Sequence, residues 1–318
     1  MPTETVEKTA REIASMETRG AAAIARAAAE ALAAEARDID AEDPAVFRAD
    51  MREAARVLLD TRPTAVSLPN ALRVVLSGMS GESVDALERS VVETVESFLA
   101  DLDSAQDRLG RIGANRLRDG DVVMTHCHST DVLATVRQAV DDGKYVEAIV
   151  KETRPRNQGH ITARELREMD VPVTLIVDNA ASRYLDHADH VLVGADSIAA
   201  DGSVINKIGT RGLAVNARDR GTPIVVAAQT LKLHPGTLTG HTVEIEMREE
   251  SEVVDAETRE EIGDVEVRNP AFDVTPPRYL DAIVTERGQF PPESIVMLMR
   301  ELYGDVDDEP WTEPADSS

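Results

Sequence analysis

At 318 residues, with 42% apolar side chains, the chain has the length for one large or two modest domains and an ample core. Its longest apolar runs stop far short of the ~20 residues that a membrane-spanning helix needs. Its 34 basic and 59 acidic residues leave a formal charge of −25, a surface that repels nucleic acid and excludes a sequence-independent grip on phosphate backbones. The lysines are only Lys8, Lys144, Lys151, Lys207 and Lys232; arginine supplies the other cations. An acid-rich, lysine-poor surface points to a high-salt cytoplasm, where screening removes most of the self-repulsion. The N-terminal "MPTETVEKTAREIASMETRG" lacks the apolar stretch of a signal peptide, so a cytoplasmic protein is expected. A single cysteine, Cys127, forbids an intrachain disulfide and fits a reducing compartment.

Taken from the N-terminus, "ETRGAAAIARAAAEALAAEA" is alanine-rich and free of proline, which predicts a helix. "DPAVFRADMREAARVLLDTRP" predicts another, with Asp43 as N-cap, Pro44 at its first position and Pro63 at its stop. In "SVDALERSVVETVESFLADLDSAQDRLGRIGANRL" the apolar positions Leu87, Val91, Val95 and Leu99 recur at helical spacing. Residues 1–110 therefore read as an N-terminal helical domain. From Asp119 the period changes. "DVVMTH" (121–126), "VEAIVKET" (146–153), "VPVTLIVD" (171–178), "HVLVGAD" (190–196) and "TPIVVAAQ" (222–229) read as buried parallel strands. "TDVLATVRQAVDDG", "ITARELREMD", "ASRYLDHAD" and "RGLAVNARDRG" lie between them as crossover helices. This order predicts an α/β fold for residues 111–303, a Rossmann-like, doubly wound, mostly parallel sheet. "ADGSVIN" (200–206) reads as an inserted hairpin turn. Residues 304–318, "GDVDDEPWTEPADSS", are acidic and proline-bearing and read as a frayed tail.

Open α/β sheets bind ligands beyond the carboxyl ends of their strands. The predicted strands deliver His126, Cys127, His128 and Ser129 there, then Glu152, Thr153 and Arg154, then Asp178 and Asn179, Gly194 and Asp196, and Gln229, Thr230 and Lys232. Cys127 precedes Ser129, Thr130 and Asp131, an N-cap sequence, and the positive end of a helix dipole lowers a thiol's pKa. A lone cysteine is also at home as a small buried hydrophobe. His126 and His128 invite a metal reading. Strand alternation turns Cys127 to the opposite face, and no CxxC or HxxxH completes a tetrahedral set, so no metal is expected. Asp196 closes "VLVGAD" either as a helix N-cap or as a buried carboxylate of raised pKa suited to acid–base work. In "NKIGTRG" (206–212), Asn206 and Lys207 offer an amide and an ammonium, while Gly209, Thr210 and the helix start offer N–H groups to an anion. Lys232, in "QTLKLHPG", sets another of the five lysines at this edge. Arg19 in "ETRGA" (17–21) and Arg62 in "TRPTAVSLPNALR" (61–73) read as surface charges, or as a phosphate clamp if the helical domain caps the sheet.

In order along residues 10–303, "RGA", "TRPTAV", "THCHST", "ETRPRNQG", "VGADSIAADGSVINKIGT" and "NPAFDVTPPRYLDAIVTERG" resemble one superfamily. It holds the sugar-phosphate aldose–ketose isomerases and the alpha, beta and delta regulatory subunits of the exchange factor for translation initiation factor 2. The isomerases keep a cysteine and an aspartate at the Cys127 and Asp196 positions, and the regulatory subunits usually lack that pair. Methylthioribose-1-phosphate isomerases typically read "THCNAG", with a Ser/Thr-rich segment where this chain has "VAAQTLKLHPG". The chain more closely resembles the archaeal ribose-1,5-bisphosphate isomerases; methylthioribose-1-phosphate isomerase and a non-catalytic regulatory subunit stand as alternatives. The resemblance implies Cys127 as base and Asp196 as acid. It further implies substrate binding by Arg19, Gly20, Ala21, Ala22, Arg62, Ser129, Thr130, Asp131, Asn206, Lys207 and Lys232. It implies a sugar bisphosphate as partner, neither nucleic acid nor membrane, no cofactor, and a homo-oligomer, a hexamer built as a trimer of dimers.

Overall fold

The computed structural model describes residues 2–18, 20–62, 65–304 and 309–312. The chain forms two compact units that part at residue 105, inside a long helix where no loop marks the division. The first unit is helical: α1 (Glu4–Ala14), α2 (Ala21–Asp38), α3 (Pro44–Leu59), α4 (Ser67–Gly78) and the first part of α5 (Val84–Ala114). Alanine loses no side-chain freedom in a helix, so α2 runs unbroken through its alanines. α3 starts where its sequence dictates. Asp43 accepts from the Ala45 N–H at 2.8 Å, and Pro44 fills a position that needs no donor. Leu87, Val91 and Val95 are buried with Phe47, Met51, Leu58 and Leu32. The expectation of a frayed tail is corrected at Trp311. Its indole is buried in this same core, under the Arg73 guanidinium at 5.1 Å from its ring, and burying so large a ring outweighs the acidic flanks.

The second unit holds the remaining elements. Its strands are β1 (Asp121–His126), β2 (Val146–Lys151), β3 (Val173–Ile176), β4 (His190–Val193), β5 (Ser197–Ile198), β6 (Val204–Lys207), β7 (Ile224–Ala227), β8 (Phe272–Thr275), β9 (Ala282–Thr285) and β10 (Gly288–Phe290). Its helices after α5 are α6 (Thr130–Asp141), α7 (Gly159–Glu168), α8 (Ala181–Tyr184), α9 (Thr210–Arg220), α10 (Ala256–Ile262) and α11 (Ile295–Tyr303). The main sheet has the order β10-β9-β7-β4-β1-β2-β3, parallel except for β10. This is the doubly wound sheet that the sequence predicts. Alternate residues of each strand enter separate cores. Val123, Val150, Leu192 and Val225 pack with Val132, Val136 and Leu166 of α6 and α7. Met124, Ile149, Val193 and Val226 pack with Leu213 of α9 and Leu298 of α11. Burial on both faces explains why these strands read as continuous apolar runs.

The predicted hairpin is present as β5 and β6, and β8 joins it in an antiparallel three-stranded sheet that the sequence did not announce. β9 and β10 were likewise not foreseen. From β1 the chain steps to β2 and β3 on one side, then returns to lay β4 on the other side of β1. The sheet therefore reverses direction between β1 and β4, and such a switch point opens a crevice at the strands' carboxyl ends. Among the described residues no helix is long and apolar enough to cross a membrane.

Candidate active site

Cys127 follows β1 and Asp196 lies three residues after β4, so both sit at the switch point. Gly194 lets the two loops close on each other. A Cβ there would lie 2.5 Å from Ser129 Oγ and 2.8 Å from Ser129 Cβ. Ser129 in turn caps α6, accepting from the Val132 N–H at 3.4 Å, with the exposed Thr130 opening the helix.

Cys127 does not continue the strand. Its φ is +72°, a left-handed conformation rare outside glycine. Two threonines hold it there. The Cys127 N–H donates to Thr153 Oγ1 at 2.8 Å, and Thr162 Oγ1 donates to the Cys127 carbonyl at 2.8 Å. The Sγ–H reaches Gln158 Oε1 at 3.5 Å. Strand alternation therefore ends at His126. That ring is buried, with Nε2 bonded to the Ile208 carbonyl at 2.8 Å and Nδ1 3.2 Å from Thr153 Oγ1. Burial, then the charge of Lys151, pushes its pKa down to about 4, so the ring is neutral at ordinary pH. His128 turns instead to Thr162 Oγ1 at 3.2 Å. Both rings are thus engaged by oxygen partners, and among the described residues no three His, Cys, Asp or Glu side chains gather as a metal site requires.

The thiol's titration runs against the sequence expectation. Burial pushes Cys127 up to about 11, an effect that the positive charge of Lys207 only partly offsets. The dipole of α6 is too weak to overcome that desolvation. Asp196 also raises the thiol, which places the two groups within electrostatic reach of each other. Asp196 is deep yet accessible. The residue is exposed to solvent, while the protein packed around its carboxyl pushes the pKa above the usual carboxylate range. Lys232, Lys207 and Arg248 pull the other way. A carboxyl that holds its proton more tightly than usual beside a crevice suits a general acid.

Lys207 is buried at the end of β6, with its ammonium 4.6 Å from the centroid of Phe272. Burial, then Arg248, lowers its pKa. Asn206 is buried beside it and its amide nitrogen donates to Thr210 Oγ1 at 3.0 Å. The start of α9 is not open to an anion, contrary to the sequence reading. Asp273 of β8 already accepts from the Gly209 N–H at 2.7 Å and the Arg211 N–H at 3.0 Å. Asp131 is buried with both oxygens engaged. Gln229 Nε2 donates to one at 2.9 Å and Lys232 Nζ to the other at 2.8 Å. Asp131 thus reaches a ligand only through Lys232. Burial works against the charge on Lys232, but Asp131 and Asp196 outweigh it and raise its pKa.

Next to Cys127 a cleft of about 220 Å³ is lined by Thr153, Arg154, Gln158, Lys207 and Arg248, with Ala271 among the rest. Gln158, Thr162, Arg248, Phe272 and Asp273 escaped the sequence reading. Gln158 was visible inside "ETRPRNQG"; Arg248 lies in the acidic run "EIEMREESEVVD", which reads as solvated charge. Of the remaining predicted residues, Gly20 has φ +90° and precedes Ala21 and Ala22 at the start of α2. Arg62 lies between α3 and α4, also in the first unit. Arg19 lies outside the described residues.

The pattern of the Initiation factor 2 subunit family matches residues 17–292. The chain is 68% identical over 310 residues to a ribose 1,5-bisphosphate isomerase of Haloferax volcanii, covering 98% of this chain and 96% of that one. It is 68% identical over 314 residues to a ribose 1,5-bisphosphate isomerase of Haloterrigena turkmenica, covering 96% of each. A solved structure titled translation initiation factor eIF-2B of Pyrococcus horikoshii OT3 superposes with a TM-score of 0.77 at 30% identity, over 92% of this chain and 99% of that one. The chain belongs to the Initiation factor 2 subunit family.

Proposed function

We propose that this member of the family converts α-D-ribose 1,5-bisphosphate to D-ribulose 1,5-bisphosphate, with Cys127 as base and Asp196 as acid. The observation that carries the reading is the meeting of these two groups at the β1–β4 switch point, in a chain 68% identical to relatives bearing that activity in their name. Asp196 gives its proton to the ring oxygen as the C1–O bond of the ring breaks, and C1 keeps its phosphate. Cys127 takes the C2 proton, leaving a cis-phosphoenolate between C1 and C2. The thiol returns that proton to C1, and Asp196 recovers one from the C2 hydroxyl, which becomes the ketone. The hydrogen never leaves the substrate and its partners, so fixed charges suffice to stabilise the intermediate. Among the cations Lys207 acts most strongly on Cys127, and it also acts on Asp196. Lys232, set by Asp131 and Gln229, supplies a second.

Ser129 and Thr130 are proposed to contact the sugar, with Asn206 beside Lys207. On the resemblance, Arg19, Gly20, Ala21, Ala22 and Arg62 are proposed to contact a phosphate. A cytoplasmic homo-oligomer, a hexamer built as a trimer of dimers, belongs to the same proposal and is read by sedimentation. The test of function is turnover. Purified protein in concentrated KCl is expected to convert ribose 1,5-bisphosphate and to leave methylthioribose 1-phosphate untouched. Turnover of the second sugar alone overturns the substrate assignment. Turnover of neither, with stable binding to initiation factor 2, moves the chain to the regulatory subunits.

A further inference from the structure

Two histidines flank Cys127, and the proposed reaction uses neither. Each ring touches a threonine, and each threonine touches one end of the Cys127 backbone. The hydrogens in these contacts can be counted, because a carbonyl oxygen only accepts and a backbone N–H only donates. On one side His126 Nε2 lies 2.8 Å from the Ile208 carbonyl, so that nitrogen carries hydrogen. Burial and the charge of Lys151 disfavour a second proton on the ring, which leaves Nδ1 a bare acceptor. Nδ1 lies 3.2 Å from Thr153 Oγ1, which itself accepts from the Cys127 N–H at 2.8 Å. The Thr153 hydroxyl has a second acceptor in reach, the Lys151 carbonyl at 3.1 Å. Among the described residues Nδ1 has no other donor, so the hydroxyl hydrogen goes to the buried ring. On the other side Thr162 Oγ1 lies 2.8 Å from the Cys127 carbonyl and 3.2 Å from His128 Nδ1. Two acceptors do not approach so closely without a hydrogen between them. Thr162 therefore gives its hydrogen to the carbonyl, and His128 Nδ1 brings its own. Glu165, 3.9 Å from His128 Nε2, is beyond hydrogen-bond distance.

We propose that His126 and His128 are positioning residues for Cys127, fixing its N–H through Thr153 and its carbonyl through Thr162, with hydrogen on Nε2 of His126 and on Nδ1 of His128. One ring accepts and the other donates, so the two are not interchangeable. The thiol's own hydrogen bond goes to Gln158 and to neither ring. A φ of +72° is sustained by surrounding contacts, and losing one lets the peptide turn and the thiol swing away from the substrate carbon. The kinetic role rests on the isomerase reading above; the hydrogen placement does not.

The placement is read without substrate, by long-range 1H–15N magnetic resonance of 15N-histidine protein at about pH 8, above the ordinary histidine range. Seven histidines contribute, and the signals lost in His126→Gln and His128→Asn identify the two rings. Hydrogen is expected on Nε2 and absent from Nδ1 in His126, and present on Nδ1 in His128. Hydrogen on Nδ1 of His126, or a bare Nδ1 in His128, overturns the proposal. Turnover of ribose 1,5-bisphosphate then reads the role, with melting temperatures compared. His128→Leu, which has no donor, is expected to lower kcat about tenfold at nearly unchanged KM, the scale of one lost hydrogen bond. His128→Asn places an amide N–H where Nδ1 stood and is expected to keep kcat within about threefold of wild type. Equal loss in both variants, or wild-type kcat in His128→Leu, also overturns it. A wild type without turnover sinks the isomerase reading, and the ring spectra still decide the clamp.

Discussion

Cys127 combines a left-handed backbone, burial, and a pKa near 11. In the proposed reaction Cys127 must lose its proton and Asp196 must hold one, while burial raises the pKa of both. With one proton on the pair the total charge is the same whether the thiol or Asp196 holds it, and the reactive form is the thiolate with protonated Asp196. Two forms of equal charge keep a constant ratio between the two pKa values. The sign follows. Below the raised Asp196 pKa both groups are protonated and the rate falls; above about 11 both are ionised and it falls again. Wild-type kcat/KM is thus expected to stay flat between the raised Asp196 pKa and about 11. Asp196→Asn removes the competing proton site, and its residual rate is expected to climb about tenfold per pH unit over that range. A wild-type rate that climbs in the same way contradicts the pairing. Cys127 and Asp196 were legible in the sequence because strand ends can be counted. The clamp by Thr153 and Thr162 was not, since the contacts span 26 and 35 residues and depend on a positive φ that no local pattern announces.

Elements position the site through close approaches. Gly194 permits the loop after β4 to touch the cap of α6, so Gly194→Ala must push Ser129 aside. The expected cost is about 1–3 kcal/mol of stability, with kcat/KM falling further than that loss of folded protein explains; thermal melts alongside kinetics check this. Equal retention of activity and stability contradicts the contact. In the first unit Trp311→Ala removes a ring from beneath Arg73 and is expected to cost about 3–5 kcal/mol, read by chemical denaturation. The core strands of the sheet were legible as apolar runs, but their ends were overestimated. The run 146–153 stops at Lys151, and Thr153 already has φ +64°. β8 was hidden because only its register against β6, some 65 residues earlier, makes it a strand. That register also brings Asp273 to the start of α9, which turned an apparent anion site into an internal cap.

At the scale of the molecule, the charge of −25 and the cationic crevice are two sides of one arrangement. Repulsion across the acidic surface falls as salt shortens the reach of each charge. The melting temperature is expected to rise steadily between about 0.1 and 2 M KCl; a fall or no change contradicts a surface built for high salt. The doubly wound order placed two distant segments at one switch point, and the account's central claim is that their thiol and carboxyl isomerise the sugar bisphosphate. The measurement that tests it most directly is conversion of ribose 1,5-bisphosphate by Cys127→Ala beside wild type, in the same KCl buffer and with melting temperatures compared. The account predicts an unchanged melt and a rate at least about a thousandfold lower. A variant that keeps the wild-type rate would contradict it.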